Sequence, residues 1–206
     1  MAYIAETLFE VKVSNSVRNQ TQHVAGKFGT NTGDSFVPAD CSAGFLCVQN
    51  GLLPLEGYES FSLLNGNSWF FNPATNGTSG GRYGDHTGIY AFDNYDVNKA
   101  VSGANKWNVG ANTLGLGLPA GERGDFCEII VGEQYTFGKG NFSTAPTASS
   151  KYATIANGLL VASADAPAAG SGVYFEILRS INMNEGTSYA GAGYVLRAQR
   201  TLEAAG

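Results

Sequence analysis

Charged side chains are scarce in this chain: they make up 14% of its 206 residues, whereas an average soluble domain has roughly 25%. The 12 lysines and arginines lie singly along the chain, and the net charge is −5. A nucleic-acid-binding protein usually carries a basic patch or stripe, and none is visible here. We therefore expect no nucleic-acid partner.

Histidine is rarer still, since His23 and His86 are the two in the chain. A catalytic histidine needs an acid that orients it and a nucleophile or substrate beside it. Asp85 precedes His86, but neighbouring residues of a strand point to opposite faces. Glycoside hydrolysis needs two carboxylates in one cleft, and the spacing of the acidic residues selects no pair. The residues thus favour a structural or binding protein over an enzyme.

Cysteine is limited to Cys41, Cys47 and Cys127. Zinc sites favour cysteine pairs two to four residues apart with a second pair elsewhere, so this spacing indicates no metal site. Cys47 and Cys127 lie in apolar runs and are predicted to be small buried hydrophobes. A Cys41–Cys47 bridge is the alternative.

Long apolar runs are also lacking, because every such stretch is far shorter than the roughly 20 residues that cross a bilayer. The opening MAYIAETLFE has neither the basic nor the apolar region of a secretory signal. We expect a soluble protein made in the cytoplasm, with no membrane partner.

Glycine and aromatic residues are abundant, with 28 Gly, 12 Phe and 10 Tyr. Roughly ten short alternating or apolar runs, separated by turn residues, predict strands, and no βαβ rhythm is present. This pattern predicts an all-β fold, an antiparallel sandwich or barrel. Asn50-Gly51 and Asn157-Gly158 are strong turn signals. Each pair is followed by two leucines. The shared chemistry of turns explains this similarity better than an internal duplication of the sequence does.

The N-terminal part of the chain differs from the rest in composition. Residues 7–13 alternate as a strand does, and the segment that follows is polar, rich in Asn, Thr and Gly, and without periodicity. We predict that residues 1–40 form an N-terminal strand and an extended arm, and that residues 41–206 form a compact β domain. A long surface loop is an equal alternative to the arm.

Two binding chemistries have candidate residues. Residues 93–98 (DNYDVN) cluster oxygen ligands as a calcium loop does, but the glycine and closing glutamate of an EF-hand are missing. A helix start capped by Asp93 or Asn94 is the simpler interpretation, so we expect no metal and no cofactor. Aromatic residues could stack on sugars, and the candidates, if exposed, are Trp69, Tyr83 and Trp107. Placement of the aromatic residues on strands favours the alternative that most of them belong to the core.

Several segments of the chain resemble one family. They are residues 4–11 (IAETLFEV), 44–48 (GFLCV), 95–98 (YDVN), 109–116 (VGANTLGL), 154–160 (TIANGLL) and 173–176 (VYFE). Together they resemble proteins encoded beside the major capsid gene of tailed phages of Gram-positive gut bacteria. The resemblance implies a capsid decoration, or cement, protein with no catalytic residues.

The resemblance implies binding to the major capsid protein, on the surface of the virion, by copies that form a homo-oligomer on the shell. An extended arm can bind by strand addition across subunit boundaries. The expected contact residues are Phe9, Val11, Arg18, His23 and Phe28. The alternative function is a carbohydrate-binding head-fibre or tail module, which would use the three exposed aromatic residues named above.

Overall fold

The computed structural model describes residues 11–14, 23–32, 35–53, 56–64, 86–95, 117–169, 172–183 and 191–201. Within them lie thirteen strands and one short 3₁₀ helix, Lys139–Asn141. The strands are β1 (Val11–Ser14), β2 (His23–Thr32), β3 (Ser35–Pro38), β4 (Leu46–Leu52), β5 (Glu59–Leu63), β6 (His86–Tyr95), β7 (Arg123–Ile130), β8 (Gln134–Gly138), β9 (Phe142–Thr144), β10 (Tyr152–Ala156), β11 (Leu159–Ser163), β12 (Val173–Met183) and β13 (Gly191–Arg200). The predicted all-β class is confirmed.

Six of the strands form a sheet in the order β3-β2-β5-β4-β6-β7. β2 also pairs with β7, with His23 opposite Cys127 and Lys27 opposite Arg123, so five strands close into a barrel. β2 and β5 run parallel, whereas the other pairs of this sheet are antiparallel. β3 lies outside the ring and extends it as a hairpin with β2.

The other seven strands form an open sheet in the order β1-β8-β13-β12-β10-β11-β9. Its centre is the long antiparallel hairpin of β12 and β13. β10 and β11 form a second hairpin, turned by Asn157 and Gly158 at φ values of 50° and 72°. Two consecutive positive φ angles are those of a type I′ turn, which confirms the hairpin predicted at Asn157-Gly158.

The barrel wall separates two hydrophobic clusters. One fills the barrel and includes Cys47, Phe61 and Tyr90. The other lies between the barrel and the seven-stranded sheet and includes Leu46 and Ile89. Because successive residues of a strand point to opposite faces, β4 and β6 supply both clusters from adjacent positions. These strands are therefore a wall shared by the two layers.

The N-terminal prediction needs a correction for the residues that the structure describes. β2 belongs to the barrel, and Ala39 donates its backbone N–H to the carbonyl of Phe28 at 3.0 Å. β1 pairs with β8, with Val11 opposite Phe137. Residues 23–40 are thus part of the sheet rather than an arm, because their backbone hydrogen bonds are made within the barrel and its hairpin. Residues 1–10 and 15–22 lie outside the described part of the chain.

The turn predicted at Asn50-Gly51 also needs a correction. β4 continues through both residues to Leu52, and the register against β5 shifts between Gln49 and Gly51. Gly51 has φ 110°. The dipeptide therefore forms a bulge within a strand, where the positive φ of glycine bends the chain without ending the ladder.

Candidate contact surface on the edge strand

β3 is the strand of the six-stranded sheet that has a single described neighbour, β2. The two pair from Gly29 opposite Pro38 to Thr32 opposite Ser35. The Phe36 ring lies over Gly29, since a Cβ atom on Gly29 would come within 2.7 Å of that ring. The absence of a side chain at position 29 is therefore what lets the Phe36 ring and the Val37 carbonyl approach β2 this closely.

Which residue pairs of this hairpin are hydrogen-bonded decides which backbone groups of β3 face outward. Ala39 donates to the Phe28 carbonyl, so the Phe28–Ala39 pair is a hydrogen-bonded one. Hydrogen-bonded and non-hydrogen-bonded pairs alternate along an antiparallel ladder. Pro38, which has no N–H, falls on a non-hydrogen-bonded pair, and so does Phe36. The N–H and C=O of Phe36 therefore point away from β2, at the outer edge of the sheet.

The side chains of β3 suit contact with another molecule. Val37 is 51% exposed. In the described part of the chain, it and Leu52 are the two exposed large hydrophobic residues. Phe36 is half-buried, and Pro38 is exposed. A short edge strand that ends in proline resists indiscriminate pairing with other sheets. The backbone N–H and C=O of Phe36 and the apolar side chain of Val37 are therefore left to contact a specific partner.

The predicted contact residues do not gather on this surface. Phe28 is 7% exposed and belongs to the cluster inside the barrel, so it is not a contact residue, because its side chain faces the interior together with Phe61. Val11 and His23 are placed by their backbones in β1 and β2. Phe9 and Arg18 lie outside the described residues. Sequence reasoning missed Phe36 and Val37, for which the apolar pair after Asp34-Ser35 was the available signal.

The residues predicted for sugar stacking, and one histidine that was weighed for catalysis, are not described by their side chains. Trp69, Tyr83 and Trp107 lie outside the described part, and His86 is described by its backbone alone. Residues 77–81 (GTSGG) have a Gly-x-Ser-x-Gly spacing, and they lie outside the described part as well.

The most buried carboxylate among the described side chains has a structural role. Glu128 is 2% exposed, and its Oε1 atom accepts the backbone N–H of Gly88 at 2.9 Å. The register between β6 and β7 shifts between His86 and Tyr90, which leaves Gly88 within an irregular stretch of the ladder. The hydroxyl of Thr87 donates to the Ile129 carbonyl in the same stretch. These side chains satisfy backbone groups that the bulge removes from the ladder.

Cys47 and Cys127 are buried, as predicted. Cys41, Cys47 and Cys127 are all buried and free, and no disulfide joins Cys41 to Cys47. Burial raises the pKa of the Cys41 thiol well above its ordinary value of 9.0, and a hydrogen bond to Cys47 and the charge of that thiol raise it further. A thiol that burial keeps neutral is a poor nucleophile, so Cys41 acts as a packing group.

The helix start predicted at Asp93 or Asn94 is wrong. Asp93, Asn94 and Tyr95 continue strand β6, so no helix begins there, and Asn94 lies opposite Asp125 in β7. Residues 96–98 lie outside the described part. Across the residues that are described, no three or more His, Cys, Asp or Glu side chains group as a metal site would require.

The chain matches no protein-family model, no curated protein and no solved structure. In the portion of the chain that the structure describes, no helix has the length and apolar character needed to span a bilayer.

Proposed function

We propose that this protein is a capsid decoration protein, which binds the outside of the major capsid shell of a tailed phage and stabilises it without catalysing a reaction. The observation that carries the proposal is the outward edge of β3, with the backbone groups of Phe36 and the exposed side chain of Val37. A capsid subunit can add a strand there, gaining main-chain hydrogen bonds and one apolar contact.

The scarcity of charge supports the proposal. The cores of protein interfaces are depleted of charged residues, and 14% charged residues leaves broad uncharged surface for contact with a shell. The two-layer body, with a hydrophobic cluster on each side of a shared wall, is suited to resist deformation. The family resemblance drawn from the sequence supplies the identity of the partner, the major capsid protein.

The presence of many copies on one shell explains how a small contact per copy is enough for stable binding. A shell presents the same site repeatedly, and copies that also touch one another bind with an avidity above that of a single contact. We therefore expect a homo-oligomer on the virion surface, assembled from protein made in the host cytoplasm.

The test changes the outward N–H of Phe36. Phe36→Pro removes that N–H without removing a hydrogen bond to β2, whereas Phe36→Ala removes the ring and keeps the N–H. The measurement is co-sedimentation of each variant with shells of the major capsid protein from the same genome, after thermal unfolding has shown that both variants fold. We expect the proline variant to bind more weakly than the alanine variant. Equal binding by the two variants would contradict strand addition at β3.

A further inference from the structure

A patch of side chains on the outer face of the seven-stranded sheet has the chemistry of a sugar-binding site. The patch consists of Tyr152 on β10, Tyr174 and Glu176 on β12, and Arg197 and Gln199 on β13. Their placement follows from alternation, because Ala153, Phe175 and Ala198 between them belong to the core cluster. All five side chains of the patch are partly exposed.

The register of the sheet holds the five residues side by side. Tyr152 lies opposite Glu176, and Glu176 lies opposite Arg197. Tyr174 lies opposite Gln199. Directly opposed side chains have Cβ atoms about 4.5–5.5 Å apart, so the patch is continuous across three neighbouring strands. It stands on the rigid centre of the sheet rather than on a loop.

The two tyrosine rings form a corner. Their centroids lie 6.1 Å apart, and the ring planes meet at 62°. One ring face can therefore lie beneath a flat ligand while the other ring borders it from the side. Aromatic side chains with a polar tip combine an apolar contact surface with a hydrogen-bonding group.

Polar groups around the corner are available to a ligand. Among the described residues, the two phenol hydroxyls and the Gln199 amide form no hydrogen bond. Glu176 and Arg197 form one contact of 3.7 Å, with side chains 42% and 41% exposed. An exposed pair at that distance is weak and leaves further lone pairs and N–H groups free.

The charge of the patch narrows the class of ligand. Glu176 and Arg197 compensate each other, so the patch offers no net charge to a phosphate, a nucleic acid or a basic peptide. A neutral sugar has apolar C–H faces that fit an aromatic ring, and hydroxyl groups that both donate and accept hydrogen bonds. A few placed polar groups beside an aromatic surface are what such a ligand needs for orientation.

We propose that the Tyr152–Tyr174 corner binds a hexose or N-acetylhexosamine unit of a neutral glycan, with Glu176, Arg197 and Gln199 bonding its hydroxyl groups. This site is separate from the edge of β3 and does not depend on attachment to a shell. It differs from the aromatic residues expected from the sequence, and it adds a recognition activity to the proposed structural one.

The first experiment screens the full chain against an array of neutral hexose and N-acetylhexosamine oligosaccharides, followed by titration calorimetry with the strongest binder. Tyr174→Ala should weaken binding roughly tenfold or more, because it removes one wall of the corner. Tyr174→Phe should keep most of the affinity, and Gln199→Ala should reduce it less than Tyr174→Ala does. The matched control is Tyr58→Ala, which removes a partly exposed tyrosine that packs against Arg123 on the barrel.

Three outcomes would overturn the proposal. The first is that no neutral glycan binds the wild-type chain. The second is that a glycan binds but Tyr174→Ala and Tyr58→Ala retain the same affinity, which would place the site elsewhere. The third is that light scattering shows an oligomer that Tyr174→Ala dissociates, which would make this face an interface between copies of the chain. Loss of shell binding through Phe36→Pro has no bearing on any of them.

Discussion

Phe61 and Phe126 stack face to face inside the barrel, with ring centroids 4.0 Å apart and ring planes 7° apart. Both side chains are fully buried, and the Tyr90 ring meets Phe61 edge-on at 5.2 Å. Gly26 lies against the same ring, where a Cβ atom would overlap Phe61. The barrel closes around this stack, because β2 carries no side chain at the point of closest approach.

The ring stack predicts a large loss of stability for Phe61→Ala. Removing a buried phenylalanine costs about 3–5 kcal/mol in the free energy of unfolding, from lost burial and the cavity left behind. Urea unfolding measures the change, with Val37→Ala as the control. Val37 is exposed, so that variant should remain within about 0.5 kcal/mol of the wild type. A similar midpoint for the two variants would show that the barrel interior is not a packed core.

Glycine 158 gives a prediction that separates backbone strain from steric overlap. Gly158 has φ 72°, and a Cβ atom there would overlap the Leu63 side chain. Gly132 has φ 91° with nothing within 4 Å of such an atom. Gly132→Ala should cost about 1–2 kcal/mol from strain alone. Gly158→Ala should cost about 1–3 kcal/mol more, from overpacking.

Thermal unfolding of the two alanine variants checks the difference. Leu46 also donates its backbone N–H to the Gly158 carbonyl at 2.9 Å, so the tip of the β10–β11 hairpin contacts the barrel. Equal melting temperatures for Gly158→Ala and Gly132→Ala would mean that this contact does not constrain the hairpin.

Glu128 gives a test of the buried polar network. Glu128→Leu leaves the partly buried N–H of Gly88 without its 2.9 Å acceptor. An unsatisfied buried donor costs about 1–3 kcal/mol, and we expect a loss near the lower end because water can reach part of this site. Glu128→Gln keeps an acceptor oxygen at that position and should be destabilised less. Urea unfolding of both variants measures the order. If the leucine variant is as stable as the glutamine variant, the bond to Gly88 contributes nothing.

Tyr174 gives a prediction about alkaline pH. Burial, and then the charges of Tyr152 and Glu176, raise the pKa of the Tyr174 phenol above its ordinary value of 10.0. Glu176→Gln removes one of these charges, so the pKa should fall, yet it should remain raised because burial is the largest cause. The phenolate absorbance of each protein, corrected with Tyr174→Phe, measures both values. An unchanged pKa in Glu176→Gln would contradict the electrostatic effect of Glu176 on the Tyr174 phenol.

The sign of the linked stability effect follows from the same shift. Because the folded-state pKa of Tyr174 is raised, the folded protein holds the phenol proton at pH values where the unfolded chain has released it. The contribution of this group to stability is therefore complete below pH 10.0 and is lost as the pH rises through the folded-state pKa.

The two Asn-Gly pairs show how far the sequence predicts the fold. Local chemistry predicts positive φ at both, and Gly51 and Gly158 both have it. At Asn157-Gly158 the flanking strands pair with each other, which makes the dipeptide a turn. At Asn50-Gly51 the neighbouring strand β5 pairs on both sides, which makes it a bulge. The difference lies in tertiary pairing, which a local pattern does not contain.

The candidate contact residues show the same limit. The polar composition around residues 23–40 predicts an extended segment, and that segment is extended, but its hydrogen-bond partners are strands distant in the sequence. Phe28 is apolar and was expected to contact a partner, yet pairing with β5 and β7 turns it into the barrel. The patch on the outer face of the seven-stranded sheet could not be predicted from the sequence either, because Tyr152, Tyr174 and Gln199 become neighbours only through the register of three strands.

The most direct test of the central claim is the amount of this protein in purified phage particles. Native particles are separated on a density gradient, and mass spectrometry measures the ratio of this chain to the major capsid protein in each fraction. A decoration protein should be present in many copies, in a fixed ratio that follows the DNA-filled heads. A few copies per particle, or none, would contradict shell decoration.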